Sequence, residues 1–121
     1  MHMIKTRDEL KDYLDTTTKQ TIILKFTATW CGPCKQIAPL VTSLNQKYTQ
    51  EKKDYEYIEI DIDESFDLYA FFKKKKMVNG VPALLSFRKN TNSGDNFWVP
   101  FQATTGANIQ GVTQFFKSSL E

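Results

Sequence analysis

Histidine is almost missing from this chain: the only one in 121 residues is His2, at the N-terminal end, and no role is assigned to it. A structural zinc site takes four nitrogen or sulfur ligands, so one distant histidine and two cysteines could hold a metal only if two chains shared the site. Covalent haem attachment needs histidine directly after the second cysteine of a C-x-x-C pair, and Lys35 stands there instead. Cysteine is equally scarce, with Cys31 and Cys34 the whole supply. A secreted domain stapled by disulfides would carry several well-separated cysteines, and so short a loop contributes little as a staple. No stretch approaches the roughly 20 apolar residues that span a bilayer. The opening "MHMIKTRDELKDYL" lacks the apolar core of a secretory signal. Net charge is only +2, which gives no reason to expect nucleic acid as partner. A G-x-G-x-x-G dinucleotide fingerprint is missing too. These shortages lead to the expectation of a soluble, cytoplasmic, monomeric protein, one domain over residues 1–121, that binds no metal, membrane or cofactor of its own.

What is present is a regular succession of elements without repeats or low-complexity tracts. Thr6 and Glu9 have capping-box spacing, and Leu10, Tyr13 and Leu14 follow on one face, which predicts a helix over 7–16. "TIILKFT", 21–27, reads as a central strand covered on both faces, with Lys25 as the one polar intruder. Ile37, Val41, Leu44 and Tyr48 recur at helical spacing, predicting an amphipathic helix over 34–50 that Pro39 should kink. "YEYIEIDID", 55–63, alternates as a strand does; 65–76 reads as a helix burying Leu68 and Phe72, and 83–89 as another strand. The loop "NTNSGDN" leads to a β-like run over 97–105, which Pro100 confines to a sheet edge. Ile109, Val112, Phe116 and Leu120 make the stripe of a closing helix. Alternation of this kind implies an α/β fold with a sheet covered on both faces.

The chemistry lies in "ATWCGPCK", 28–35. A thiol must ionise before it attacks a disulfide, and a free cysteine with pKa near ~8.5 is mostly protonated at neutral pH. If a helix begins at the motif, Cys31 sits at its N-terminus, where unpaired N–H groups and the positive dipole end favour an anion. Pro33 fits the first helical turn, where its missing N–H costs no bond. Cys34, about one turn deeper, should be shielded yet within reach, while Cys31 stays open to water. Two-step exchange follows, in which Cys31 attacks and Cys34 resolves the mixed disulfide.

"FTATWCGPCK", "IAPLVTSL", "EIDIDE", "GVPALLSF" and "TTGAN" together resemble the thioredoxin family across nearly the whole chain. The resemblance implies a thioredoxin fold, a central mixed sheet of about five strands flanked by about four helices. It implies a protein-disulfide reductase with Cys31 as nucleophile and Cys34 as resolving cysteine, supported by Trp30, Gly32, Pro33 and Lys35. Pro82 would be a cis-proline opposite the pair, and Trp30, Val81, Pro82, Gly106 and Ala107 would bind the target. Electrons would come from NADPH through a separate thioredoxin reductase, and the partners would be that enzyme and disulfide-containing proteins. A different class stays open, a binding subunit that uses the fold as a scaffold. One position departs from the family pattern: Lys25 stands where the family usually has a buried aspartate. A lone buried ammonium needs a counter-charge, and the resemblance puts Glu59 on the strand beside Lys25, which implies a Lys25–Glu59 pair beneath the motif. The lysines 73–76 read as a solvated face or a contact for an acidic partner, and Trp98 as either packed or exposed.

Overall fold

The computed structural model describes residues 4–89, 91–92 and 94–121. His2, and Asn90 and Ser93 of the loop before the last strand, lie outside the described residues.

Helix α1 spans Arg7–Thr16, where the Thr6 side chain accepts the Glu9 N–H and so satisfies one of the orphan donors of the first turn. Strand β1 (Thr21–Thr27) is buried along almost its whole length. Helix α2 (Gly32–Gln50) starts two residues earlier than the apolar spacing indicates, because Cys31 caps it and Pro33 occupies its first turn. It runs through Pro39 as one element, with Cys34, Ile37, Val41, Leu44 and Tyr48 buried. Strand β2 (Tyr55–Asp61) is followed by α3 (Phe66–Lys74), β3 (Ala83–Arg88), a short 3₁₀ turn (Gly94–Asn96), β4 (Gln102–Thr105) and α4 (Ile109–Leu120).

The sheet order is β2-β1-β3-β4, with β1 parallel to β2 and both other pairings antiparallel. Four strands are therefore present among the described residues, not five. The run over 97–105 is strand only in its last four residues. Phe97 instead stacks on Phe71 at 6.1 Å, and the Asn92 side chain holds the carbonyls of Phe97 and Val99, so this segment pairs with side chains before it joins the ladder. Pro100 lies just outside β4, where its missing N–H breaks no ladder bond.

Strand alternation divides the core. Ile22, Leu24 and Phe26 face one layer with Leu10, Leu14, Leu68 and Phe72 of α1 and α3, while Ile23 faces the other with Ile37, Val41, Val112 and Phe116 of α2 and α4. Each such side chain, fully buried, contributes roughly 1.5–3 kcal/mol before the cost of ordering it. Ile109 corrects the predicted stripe of α4: it is 68% exposed, and the buried face of the helix is made by Val112, Phe115, Phe116 and Ser119.

Trp98 is packed, its ring edge-on to Phe71 at 6.3 Å with the Lys75 ammonium 4.8 Å from its centroid. Its indole N–H donates to the Asp95 carbonyl at 3.1 Å. The lysines 73–76 are exposed around this patch.

Candidate active site

Because α2 begins a few residues beyond β1, an interior strand, the connecting turn sets the motif at the C-terminal end of that strand. The Cys31 N–H donates to the Ala28 carbonyl at 3.2 Å, which closes that turn. Cys31 is the N-cap of α2, and its Sγ accepts the Cys34 N–H at 3.1 Å. This is the place where a helix presents free donors and the positive end of its dipole, so charge on that sulfur is favoured. Cys31 and Cys34 are joined as a disulfide with Cα atoms 5.3 Å apart. One expectation is altered here. Cys31 is nearly as covered as Cys34, at 4% against 2% exposure, so access to the leading sulfur is narrow in the oxidised form. Trp30, Gly32 and Pro33 around it are exposed.

The other predicted residues converge through backbone contacts. The Cys31 Sγ lies 3.7 Å from the Val81 carbonyl oxygen. In the disulfide that sulfur has no proton to give, so the pair becomes donor and acceptor only in the reduced thiol. The Val81–Pro82 peptide is cis, as the resemblance implies. The Pro82 carbonyl accepts the Gly106 N–H at 2.8 Å, which brings the turn before α4 to the same rim. Gly106 has φ +93°, a left-handed conformation that glycine adopts without strain. Ala107 beside it is exposed, and Pro82 itself is buried. Trp30 is 65% exposed, and its indole N–H donates to Asp63 Oδ2 at 3.0 Å, which fixes the ring's orientation.

Lys25 and Glu59 are directly opposite each other in the parallel β1–β2 register. The Lys25 ammonium lies 3.8 Å from Glu59 Oε2, with side-chain exposures of 3% and 55%. Tyr57, two residues along the same face of β2, donates its hydroxyl to Glu59 Oε2 at 2.8 Å. Burial first, and then the neighbouring Glu59 charge, push the Tyr57 phenol above its ordinary range, so it remains a donor. A cavity of about 420 Å³ opens beside the motif, lined on one side by Ala28, Thr29 and Lys35 and on the other by Glu59, Asp61 and Glu64.

Asp63 and Tyr57 were not singled out from the sequence. Period-two spacing places Tyr57 beside Glu59, so that signal was available. Asp63 was concealed because the alternation of "EIDID" reads as strand to its end. In the structure β2 stops at Asp61, whose carboxylate accepts the Asp63 N–H at 2.8 Å and turns the chain.

A family model described as Thioredoxin matches residues 2–103. The chain is 32% identical over 92 residues to Thioredoxin of Callithrix jacchus, an alignment covering 76% of this chain and 80% of that one. It is 30% identical to Thioredoxin of Homo sapiens over the same shares. Among solved structures it resembles reduced Schistosoma mansoni Thioredoxin pre-protein, with TM-score 0.68, 25% identity and 98% and 96% of the two chains covered. Trichomonas vaginalis thioredoxin superposes with TM-score 0.71 at 20% identity over 97% and 94% of the chains, a likeness of fold alone.

Proposed function

Since this chain belongs to the thioredoxin family and is a dithiol/disulfide oxidoreductase, we propose that it works as a reductase of protein disulfides with Cys31 as the attacking sulfur. The observation that carries the reading is the Cys34 N–H aimed at Cys31 Sγ from 3.1 Å at the head of α2. A hydrogen bond to an ionised acceptor is roughly twice as strong as one to a neutral group, so this donor favours thiolate over thiol.

The exchange runs in two displacements. The Cys31 thiolate forms a bond to one sulfur of the target disulfide, and the other target sulfur leaves as thiolate and takes a proton from water. The Cys34 thiolate then attacks Cys31, its own proton having gone to solvent, and the second target sulfur leaves. Two electrons pass to the target, and the Cys31–Cys34 disulfide remains. Restoring the dithiol takes two electrons and two protons, which a separate thioredoxin reductase draws from NADPH.

The target lies along the rim. Trp30 offers an exposed aromatic face, Val81 an apolar side chain with the backbone of the turn at Pro82, and Gly106 and Ala107 a surface without bulk. A peptide segment can approach such a surface closely, and its apolar core excludes water from the reacting sulfurs. The protein acts as a monomer in the cytoplasm on disulfide-containing proteins.

Reduction of insulin in the presence of dithiothreitol tests the reading. The parent accelerates precipitation of the insulin chains, and Cys31→Ser falls to the rate of dithiothreitol alone. Equal rates for the two proteins would overturn it and leave a scaffold role for the fold.

A further inference from the structure

Glycine at position 80 is required by the backbone: its φ of +144° is a conformation that any side chain would strain. Asn79 stands directly before it, and this is the only Asn-Gly pair in the chain. Such a pair is labile in water, because the carboxamide carbon and the next backbone nitrogen can close a five-membered ring and glycine has no side chain to obstruct the approach. A Cβ built at Gly80 meets nothing within 4 Å, so that side of the backbone is open.

Folding normally suppresses this closure by fixing the backbone in a helix or strand and engaging the N–H in a hydrogen bond. Neither restraint applies here. Helix α3 ends at Lys74, and its last carbonyls are taken by the N–H groups of Lys75, Lys76 and Met77. Val78 is buried, and β3 begins only at Ala83. Between these anchors Asn79 is exposed and Gly80 half-buried. Among the described residues neither the Asn79 side chain nor the Gly80 N–H makes a hydrogen bond, so no native bond has to break before the nitrogen attacks. The pair also adjoins the rim. Two Cα steps keep Asn79 within about 8 Å of Val81, whose carbonyl lies 3.7 Å from Cys31 Sγ. The next carbonyl, that of Pro82, holds the Gly106 N–H.

We propose that Asn79–Gly80 is a self-modification site, and that its conversion to isoaspartate slows the uptake of disulfide targets at the rim. The Gly80 nitrogen gives its proton to water and bonds to Asn79 Cγ. The Cγ–Nδ2 bond then breaks, and the nitrogen takes a proton and leaves as ammonia, so that a succinimide remains. Water opens that ring in one of two places. Cleavage between Cγ and the ring nitrogen leaves an aspartate with the ordinary backbone. Cleavage between the main-chain carbonyl carbon and the ring nitrogen leaves isoaspartate, in which the chain runs through Cγ and is one carbon longer. Nothing is oxidised or reduced, and water is the only co-reactant. Both products add a negative charge, but only isoaspartate lengthens a segment held at Val78 on one side and Pro82 on the other, and so shifts Val81 relative to the sulfur. The effect on targets rests on the reductase reading, whereas the chemistry at Asn79 does not.

Protein held at pH 8 and 37 °C should gain about 1 Da at residue 79 by peptide mapping, ahead of every other asparagine. Electron-transfer fragmentation separates aspartate from isoaspartate. The free peptide Met-Val-Asn-Gly-Val sets the clock: residue 79 of the protein unchanged once that peptide has converted would overturn the site. The isoaspartate form, isolated by ion exchange, should reduce insulin with kcat/KM at least about threefold below that of fresh protein. Asn79→Gln aged alongside should keep both its mass and its rate, and Asn79→Asp, which brings the charge alone, should lose less than isoaspartate does. An isoaspartate form as fast as fresh protein refutes the effect on targets. Fresh protein no faster than dithiothreitol alone refutes the reductase reading instead, and leaves the mass gain at residue 79 standing.

Discussion

Reducing the Cys31–Cys34 bond should lower the melting temperature, and the size of the effect separates a reductant from an oxidant. The bridge closes a loop of four residues. Loop-closure entropy of about −6 cal/mol/K for such a loop destabilises the unfolded chain by about 1.9 kcal/mol at 25 °C. An unfolding entropy near 2.1 cal/mol/K per residue, over 121 residues, gives about 250 cal/mol/K. The ratio is about 7 °C, an upper limit, because one native contact opposes it. The Cys34 N–H bond to Cys31 strengthens when that sulfur carries charge. We therefore expect the oxidised form to melt ~2–7 °C above the reduced form near neutral pH, by calorimetry with and without a phosphine reductant. A reduced form that melted higher would mean that the native fold prefers the dithiol to the disulfide. That preference is the property of an oxidant, and it would refute the direction of electron flow argued above.

Other perturbations have equally definite outcomes. Phe116→Ala empties a fully buried site that stacks on Tyr48 at 6.2 Å, and urea unfolding should show a loss of about 3–5 kcal/mol. Trp30→Ala should leave the melting temperature within a few degrees, since the ring is 65% exposed, yet lower kcat/KM for a protein disulfide about tenfold or more. Burial and the hydrogen bond to Glu121 push the Tyr48 phenol up to about 12. Its folded pKa is raised, so the associated stability is complete below the ordinary phenol pKa near ~10 and is lost as pH climbs toward the raised value. Melting curves between neutral pH and pH 11 should show that loss in the parent and a smaller one in Tyr48→Phe.

Much of this arrangement could be read from the residues alone. The bounds of α1 and β1 follow from a capping pair and an unbroken apolar run, signals that act within a few residues of chain. The Lys25–Glu59 pair was legible only with the family resemblance: a buried ammonium demands a carboxylate, and the resemblance supplied the strand neighbour that parallel pairing sets beside it. What escaped depends on cover supplied from elsewhere in the chain. Helical spacing says which way Ile109 points but not that nothing covers it, and it is 68% exposed. Motif chemistry says that Cys31 caps a helix but not that the Val81 turn closes over its sulfur to within 3.7 Å. The run over 97–101 has the composition of a strand, yet Phe71, Trp98 and Asn92 offer it side-chain partners that compete with the ladder.

The rate at which iodoacetamide alkylates Cys31 in the reduced protein, followed from pH 4 to 10, bears most directly on the thiolate at the head of α2. We predict an inflection clearly below the ordinary cysteine value of ~8.5, with substantial reaction at neutral pH. An inflection at or above that value, or a thiol inert near neutrality, would contradict the account.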